Sequence, residues 1–314
     1  EICACLVGSE MCIRDRLKVT ELTTDDAGKV TGVRATTGKQ SGPLTADAVV
    51  LAAGGFGANQ EMLTKYRPDL KGMNTTNQPG ATGDGIKLAE ALGAKLVDMD
   101  QVQVHPTVQQ DTPHAYLIGE AVRGEGAILV NKHGDRFVNE LDTRKNVTAA
   151  IDGLKENGAY LIFDQGIRDR AKAVEFYDSI GLVHTGKSLD DLAGQLGFDA
   201  AALKKAVADW NTAVADQNDA AFNRTTGMER DISTAPFFAI HIAPAVHYTM
   251  GGIAINHKTE VLNDDGKAIK GLYAAGEIVG GLHGNNRIGG NSIAETVIFG
   301  RQAGEQVFNY INQK

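Results

Sequence analysis

The sequence has 314 residues, of which 42% are hydrophobic, so it is long enough to bury two ordinary cores and predicts two domains. Its 31 basic and 39 acidic residues give a net charge of -8, which argues against a surface that binds nucleic acid or an anionic membrane. No apolar run approaches the length of a membrane span, so the sequence predicts a soluble protein without one.

The first predicted elements are two alternating strands, at 17–22 and 30–36, on either side of an Asp-Asp-Ala-Gly turn. The nearly continuous apolar run at 45–52 follows and leads to Gly54, which is typical of a buried parallel strand whose end meets a ligand. Residues 85–92 predict a helix with leucine and alanine on one face. These elements indicate the start of an α/β domain.

The middle of the sequence changes to mixed strands and polar loops, followed by predicted helices at 188–196 and 200–215. Ser188 and Asp191 form a capping-box pattern at the start of the first helix. Residues 181–188 also satisfy the P-loop pattern Gly-x4-Gly-Lys-Ser, which would indicate a P-loop NTPase. The interior of that motif is bulky and poor in glycine, so we interpret it as a chance match.

The most informative stretch lies near the end of the chain, where Ala274-Ala275-Gly276-Glu277 precedes a glycine- and asparagine-rich run at 284–292. Glycines at this density allow a backbone to lie against a flat or anionic ligand, and Arg287 adds positive charge to the same wall. Residues 293–306 predict a helix whose first amide groups face an anion. A flavin dinucleotide offers both a pyrophosphate and a planar ring.

Other motifs precede this stretch in a fixed order: Ala52-Ala53-Gly54-Gly55-Phe56, Ala81-Thr82-Gly83-Asp84-Gly85, His105-Pro106-Thr107, Glu120-Ala121-Val122-Arg123-Gly124 and His247-Tyr248-Thr249-Met250-Gly251-Gly252. Together the motifs resemble the flavoprotein of soluble fumarate reductases, of the flavocytochrome c type, within the fumarate reductase and succinate dehydrogenase flavoprotein family. The resemblance extends from about residue 17 to the C-terminus. It implies FAD as the cofactor. The implied activity is reduction of the C=C bond of fumarate or a related enoate, by hydride from flavin N5 and a proton from an arginine.

The resemblance also implies an α/β architecture in which an incomplete Rossmann-like FAD-binding domain is interrupted by an inserted α+β capping, or clamp, domain. We expect the FAD-binding domain at 17–104 and 247–314 and the capping domain at 105–246. No Gly-x-Gly-x-x-Gly turn occurs in the sequence, although a dinucleotide-binding fold of this type normally begins with one. We therefore expect an N-terminally truncated fragment that binds FAD poorly and is inactive alone.

The first residues, 1–16, are interpreted as a non-native segment. Met11-Cys12-Ile13-Arg14-Asp15-Arg16 looks like translated sequencing adapter, and Cys3, Cys5 and Cys12 cluster here without ligand spacing or a downstream partner. Any signal peptide would precede the similar region, so the sequence leaves the compartment open between cytoplasm and periplasm.

Position by position, the resemblance implies roles for a set of site residues. Those matched to catalysis are Arg144, Glu120 and Arg123, and those matched to substrate binding are His105, His247, Arg287 and Gly290. Arg144 matches the arginine that protonates the substrate carbon, whereas Glu120 and Arg123 match its proton relay. Guanidinium groups normally keep their protons, so an arginine acid needs a second cation and a relay carboxylate nearby.

The cofactor positions implied by the resemblance are Ala53, Gly54, Asp84, Tyr248, Glu277, Ser292 and Ile293. Asp84 and Glu277 are expected to accept hydrogen bonds from ribityl or ribose hydroxyls. Ser292 and Ile293 would offer amides at a helix start, and Tyr248 matches a residue beside the isoalloxazine.

Without the resemblance, the same residues have simpler interpretations. His105 before a proline is typical of a structural loop histidine, and Arg144 of a solvated charge run. Glu120 with Arg123 would be an ordinary helical ion pair. The eight histidines show no helical ligand spacing with a carboxylate, so no metal site is predicted.

The sequence departs from the fumarate-selective pattern at two positions. Leu117 and Gly119 stand where the resemblance implies methionine and threonine, which leaves a roomier and less polar pocket. Urocanate- or acrylate-type enoates therefore stay open as substrates, as do the reactions of other dehydrogenases of the family. A flavin-binding electron-carrier module is an alternative of another class. The electron donor stays open among a haem domain, an FMN domain and an NADH-linked partner.

Overall fold

The computed structural model describes residues 16–38 and 40–312. The strands are β1 (Lys18–Thr24), β2 (Val30–Thr37), β3 (Gln40–Thr45), β4 (Val49–Leu51), β5 (Leu96–Val97), β6 (Val102–Gln109), β7 (Tyr116–Leu117), β8 (Ile128–Val130), β9 (Ala159–Asp164), β10 (His184–Gly186), β11 (Phe237–Thr249), β12 (Gly252–Ile253), β13 (Glu260–Leu262) and β14 (Ala268–Ala274). The helices are α1 (Gln60–Tyr66), α2 (Asp84–Glu90), α3 (Glu120–Gly124), α4 (Arg144–Gly153), α5 (Gln165–Arg170), α6 (Ala173–Ser179), α7 (Leu189–Leu196), α8 (Ala200–Asp216) and α9 (Asn291–Asn312), and a 3-10 turn lies at Pro68–Leu70.

The chain divides into two compact units. The first contains the described residues of Glu1–Arg67 and Thr249–Lys314, together with Pro79–Val102, and the second contains Pro68–Gln78 and Gln103–Tyr248. The second unit thus includes a short segment ahead of the region expected as the capping domain. The three cysteines lie outside the described residues. So does the rest of the segment interpreted as non-native, with the exception of Arg16.

The first unit begins with the predicted hairpin, which is confirmed: β1 and β2 pair antiparallel, and β3 pairs with the other edge of β2. Asp25 stabilises the turn, because its carboxylate accepts hydrogen bonds from the amides of Ala27 at 3.0 Å and Lys29 at 2.9 Å. Local sequence therefore determines both the strands and their register here.

The apolar run at 45–52 forms parts of two strands, so the prediction of one continuous strand is wrong. Thr45 ends β3, and β4 begins only at Val49, where it pairs parallel with β14. The chain changes pairing partner between the two strands, and the exposed Asp47 lies in the bend. The parallel pairing itself was predicted correctly. The carboxyl ends of parallel strands meet at one edge of a sheet, so the turns after β4 and β14 lie at the same edge.

The second unit is built on an antiparallel sheet with the strand order β7-β6-β11-β9-β8 and with β10 beside β11. Its apolar core includes Trp210 of α8 and a stacked aromatic pair, Phe163 and Phe238, whose ring centroids lie 5.3 Å apart. Beside this core lies a group of charged residues whose side chains are no more than 6% exposed: Arg136, Glu140, Arg224 and Asp219.

The segment with the P-loop pattern has a different structure. His184–Gly186 forms β10 and pairs with β11, and Ser188 caps α7 by accepting a hydrogen bond from the Asp191 amide at 3.1 Å. Phosphate-binding loops surround the anion with free amide groups, and a paired strand does not offer them. This conformation supports the interpretation as a chance match.

The predicted helices at 85–92, 188–196 and 200–215 correspond to α2, α7 and α8, whereas α9 is longer than the predicted 293–306. No helix within 16–38 and 40–312 is long and apolar enough to cross a membrane. The confirmed fold class is mixed α/β.

Candidate active site

A stripe of buried polar side chains runs along β6. Its members, Gln103, His105, Thr107 and Gln109, are each no more than 4% exposed. Successive side chains of a strand point to opposite faces, so these alternate residues share one face. Burial of polar groups is costly unless they find partners, so a polar stripe on a buried strand indicates a site.

His105 is held in one tautomer. The Thr107 amide donates a hydrogen bond to His105 Nδ1 at 3.3 Å, so the proton of the neutral ring lies on Nε2. That nitrogen lies 3.4 Å from Glu120 Oε1, in electrostatic contact but without a directed hydrogen bond. Burial lowers the pKa of His105 to about 4, only partly opposed by Glu120, so the imidazole is neutral at physiological pH.

This burial has a consequence for stability. Between pH 6.5 and about 4, the unfolded chain binds a proton at residue 105 whereas the folded protein does not. The free energy of unfolding should therefore fall as the pH falls through this window, by an amount on the order of 3 kcal/mol. Denaturant unfolding across this range should show a weaker pH dependence for His105→Gln than for the parent. An identical pH dependence of the free energy of unfolding in the two proteins would contradict a buried, neutral His105.

Arg144 begins α4 and has a forked contact with two polar side chains. Its Nε and Nη2 lie 2.7 Å and 2.6 Å from Glu120 Oε1, and its Nη1 donates to Gln103 Oε1 at 2.7 Å. Thr143 caps the helix by accepting a hydrogen bond from the Asn146 amide at 3.3 Å. Arg144 is only 9% exposed, so the interpretation as part of a solvated charge run is wrong for this residue.

Arg123 lies one turn after Glu120 in α3 and is 1% exposed, so the pair is not an ordinary surface ion pair. Its Nη2 lies 3.9 Å from Glu120 Oε1, and its Nη1 donates to the Glu140 carbonyl at 2.6 Å. Within the described residues, Nε and Nη2 of Arg123 have no hydrogen-bond acceptor. Burial lowers the pKa of Arg123 to about 10. The negative charge of Glu120 opposes this shift, and the positive charge of Arg144 adds to it.

Glu120 connects these groups. Partial burial alone would raise the pKa of its carboxyl, but contacts with His105 and Arg144 outweigh burial and hold the pKa well below its usual value. Because His105 is neutral at physiological pH, Arg144 is the contact that stabilises the carboxylate there. Glu120 is 43% exposed, so it also reaches solvent. The cluster therefore combines a buried cation with a carboxylate that can exchange protons with water.

His247 lies close to His105 in the same unit. Their ring centroids are 5.3 Å apart, and Thr76 Oγ1 lies 2.8 Å from His247 Nδ1. Tyr248 follows on β11 and is buried. Sequence reasoning missed Thr76, because nothing local indicates its contact with a strand 171 residues away. It also missed Gln103, which the alternation of polar residues on β6 could have indicated.

In the first unit, Gly55 allows a close approach between the turns after β4 and β14. A Cβ at Gly55 would overlap Thr249 Oγ1 and lie 2.7 Å from Glu277 Oε1. That Glu277 oxygen accepts hydrogen bonds from Thr249 N at 2.9 Å and Thr249 Oγ1 at 3.1 Å. Burial raises the pKa of Glu277, opposed by the Thr249 hydrogen bonds and by the charge on Arg287.

Replacement of Gly55 by alanine is expected to destabilise the protein by about 1–3 kcal/mol and to lower its FAD content, because the new methyl group displaces Thr249 or Glu277. Thermal unfolding and the flavin-to-protein ratio would measure both effects. The matched control is Gly300→Ala in α9, where a Cβ meets no atom within 4 Å. Equal thermal stability and equal flavin content of the two variants would contradict the close packing of Gly55 against Thr249 and Glu277.

The remaining cofactor positions predicted from the sequence lie at exposed turns and helix starts of the first unit. Ala53 is exposed after β4, and Gly54 has a φ of 76°, a left-handed conformation that favours glycine. Asp84 begins α2 and lies 3.3 Å from Lys18 Nζ. Around the start of α9 lie the cofactor positions Ser292 and Ile293, of which Ile293 is 70% exposed, and the predicted substrate positions Gly290 and Arg287, of which Arg287 is buried.

These features fit a dinucleotide. Small exposed residues after β4 leave room for a flat ligand, and the carboxylates of Asp84 and Glu277 are acceptors for sugar or ribityl hydroxyls. Within residues 16–38 and 40–312, no group of three His, Cys, Asp or Glu side chains is placed to hold a metal ion.

Parallel strands that end in glycine turns, with acceptor carboxylates beside them, define the first unit as an α/β domain of the nucleotide-cofactor-binding class. The second unit adds a buried cluster of acid–base groups. The chain belongs to the FAD binding domain family, whose model matches residues 1–293. FAD is accordingly the cofactor. The match begins ahead of residue 17, where the resemblance was expected to start.

Similar proteins confirm the resemblance to the fumarate reductase flavoprotein family. The chain is 52% identical over 259 residues to the NADH:fumarate oxidoreductase of Klebsiella pneumoniae (strain 342), covering 82% of this chain and 28% of the relative. It is 38% identical to the urocanate reductase of Eggerthella lenta, covering 91% and 49%. A structure of the open conformation of a flavocytochrome c3 fumarate reductase matches with a TM-score of 0.75 and 43% identity, covering 94% and 52%. The chain thus spans about half or less of the length of these proteins.

Proposed function

We propose that the protein carrying this chain reduces the C=C bond of fumarate or a related enoate, with FAD as its redox cofactor. The observation that carries the proposal is the contact of buried Arg144 with Glu120, beside the neutral His105. Similarity to reductases of fumarate and of urocanate, both enoates, supports the reaction class. An arginine and a carboxylate in this arrangement are suited to deliver a proton, which a simple electron carrier does not need.

Addition of a hydride to an enoate places negative charge on the substrate carboxylate in the transition state. Cations and hydrogen-bond donors in a dry site stabilise that charge. We assign this role to His247 and Arg287, with Gly290 nearby, for one carboxylate and to His105 for the other end of the substrate. His105 suits the role, because its Nε2 carries the ring proton and lies in a fully buried position.

The proton reaches the substrate carbon from Arg144. Glu120, a partly exposed carboxylate, then takes a proton from solvent and passes it to the neutral Arg144 along their 2.6 Å contact. Arg123 is the second cation, and its Nη2 lies 3.9 Å from the Glu120 oxygen that Arg144 contacts. Gln103 holds the third nitrogen of Arg144 and so fixes its orientation.

FAD, when bound, supplies the hydride from N5 of its isoalloxazine. We assign the binding of FAD to the following residues: Ala53, Gly54, Asp84, Tyr248, Glu277, Ser292 and Ile293. Electrons reach it, in this proposal, from a haem, FMN or NADH-linked donor outside the described residues. We also propose that the second unit, centred on 105–246, is a capping domain and that 17–104 and 247–314 form the FAD-binding domain.

The proposal is tested with the FAD-loaded protein that carries this chain, because the chain alone is expected to bind FAD poorly. A chemically reduced dye is supplied, and fumarate, urocanate or acrylate is offered in turn. Oxidation of the dye that depends on at least one of these enoates is the expected result. A protein that passes electrons from the dye to an artificial electron acceptor, but to none of the three enoates, would act as an electron carrier instead. Failure to oxidise the dye with any enoate and with the artificial acceptor would contradict both functions.

A further inference from the structure

Gly119, immediately before Glu120, lacks a side chain although its backbone does not require glycine. Its φ of -64° and ψ of 156° are values that any residue adopts. A Cβ built there would meet a single group within 4 Å, the Tyr177 hydroxyl at 3.8 Å. The space beside Glu120 is therefore open, and the Tyr177 hydroxyl borders it.

Tyr177 is well suited to present its hydroxyl at this position. It belongs to α6, its ring packs in the apolar core, and the residue is only 7% exposed. Its oxygen accepts a hydrogen bond from the Gly119 amide at 3.2 Å, which fixes the oxygen in place. Among the described residues no acceptor takes the phenolic proton. A buried tyrosine hydroxyl normally finds such an acceptor, and a ligand in the adjoining space would provide one.

We infer that Tyr177 is a specificity-determining residue whose hydroxyl donates a hydrogen bond to the substituent at the far end of the enoate. The inference deepens the proposed function and depends on it. Glu120, the next residue to Gly119, contacts the proposed proton donor Arg144, so this open space lies beside the site of protonation. A hydroxyl donor there favours an enoate with an acceptor on its distal carbon, such as the second carboxylate of fumarate, over acrylate, which has none.

The test compares kcat/KM for fumarate and for acrylate in the FAD-loaded parent and in Tyr177→Phe. Loss of a hydrogen bond to a charged group predicts a fall of about 10- to 100-fold for fumarate and a change of less than about threefold for acrylate. The Kd for succinate, measured by calorimetry, should rise by a similar factor. Tyr116→Phe is the matched control, since Tyr116 lies in the same row of aromatic rings and is expected to behave like the parent.

A second variant separates specificity from structure. Gly119→Ser in the Tyr177→Phe background returns a hydroxyl to the same space and should restore part of the fumarate activity. Equal losses for fumarate and acrylate in Tyr177→Phe, or no loss for either, would overturn the inference alone. A parent that reduces none of fumarate, urocanate and acrylate would overturn the proposed function and this inference with it, whereas a parent that reduces urocanate alone would overturn the inference only.

Discussion

Replacement of Arg144 by alanine is expected to slow fumarate reduction by about two to four orders of magnitude while leaving FAD bound, because general acid catalysis typically contributes that much. Arg144→Lys should restore little of the rate. A lysine has no planar fork and cannot contact Glu120 and Gln103 as the three guanidinium nitrogens do. Steady-state turnover and the flavin-to-protein ratio would measure the effect.

The matched control is Arg170→Ala in α5. Arg170 is 54% exposed and pairs with Glu125 at 2.6 Å, so it also loses an ion pair on substitution but takes no part in the proposed chemistry. It should retain the parental rate. Retention of parental turnover by Arg144→Ala would remove this residue from the mechanism.

Replacement of Arg224 by alanine is expected to cost about 3–5 kcal/mol of folding free energy, because it breaks a fully buried ion pair and leaves Arg136 to neutralise the buried carboxylates of both Glu140 and Asp219. Arg224 Nη1 lies 3.0 Å from Glu140 Oε2, and its Nη2 donates to the Arg123 carbonyl at 2.6 Å. Its guanidinium also lies over the Trp210 ring, 4.3 Å from the centroid. Equilibrium unfolding in denaturant would measure the loss.

Lys204→Ala provides the comparison. Its ion pair with Asp190, at 2.7 Å, is half-exposed on both sides, so its removal should change stability by less than about 1 kcal/mol. Should Arg224→Ala prove as stable as Lys204→Ala, the buried charges would not be the source of stability around Arg123.

The elements that local sequence predicts well are those whose stabilising contacts are also local. The β1–β2 hairpin follows from alternation and from Asp25, which bonds amides two and four residues further on. The start of α7 follows from Ser188, which bonds the amide three residues later. The apolar run at 45–52 was predicted less well, because the change of partner from β2 to β14 depends on a strand far along the chain.

The candidate site was predicted through family resemblance, since its contacts are long-range. Glu120 and Arg144 are 24 residues apart, and Gly119 and Tyr177 are 58 apart, so spacing alone carries no information about either contact. What the sequence alone could have indicated is the polar stripe of β6. The burial of Arg144 could not have been indicated, since it stands among charged neighbours and tertiary packing decides which of them face inward.

The most direct measurement of the central claim is a single turnover. The FAD-loaded protein is reduced chemically without oxygen, excess reductant is removed, and fumarate is added while flavin absorbance and succinate are recorded. The account predicts that the flavin reoxidises and that about one succinate forms per FAD, since a hydride carries both electrons. Flavin that stays reduced in the presence of fumarate, urocanate and acrylate, yet reoxidises with an artificial electron acceptor, would contradict it.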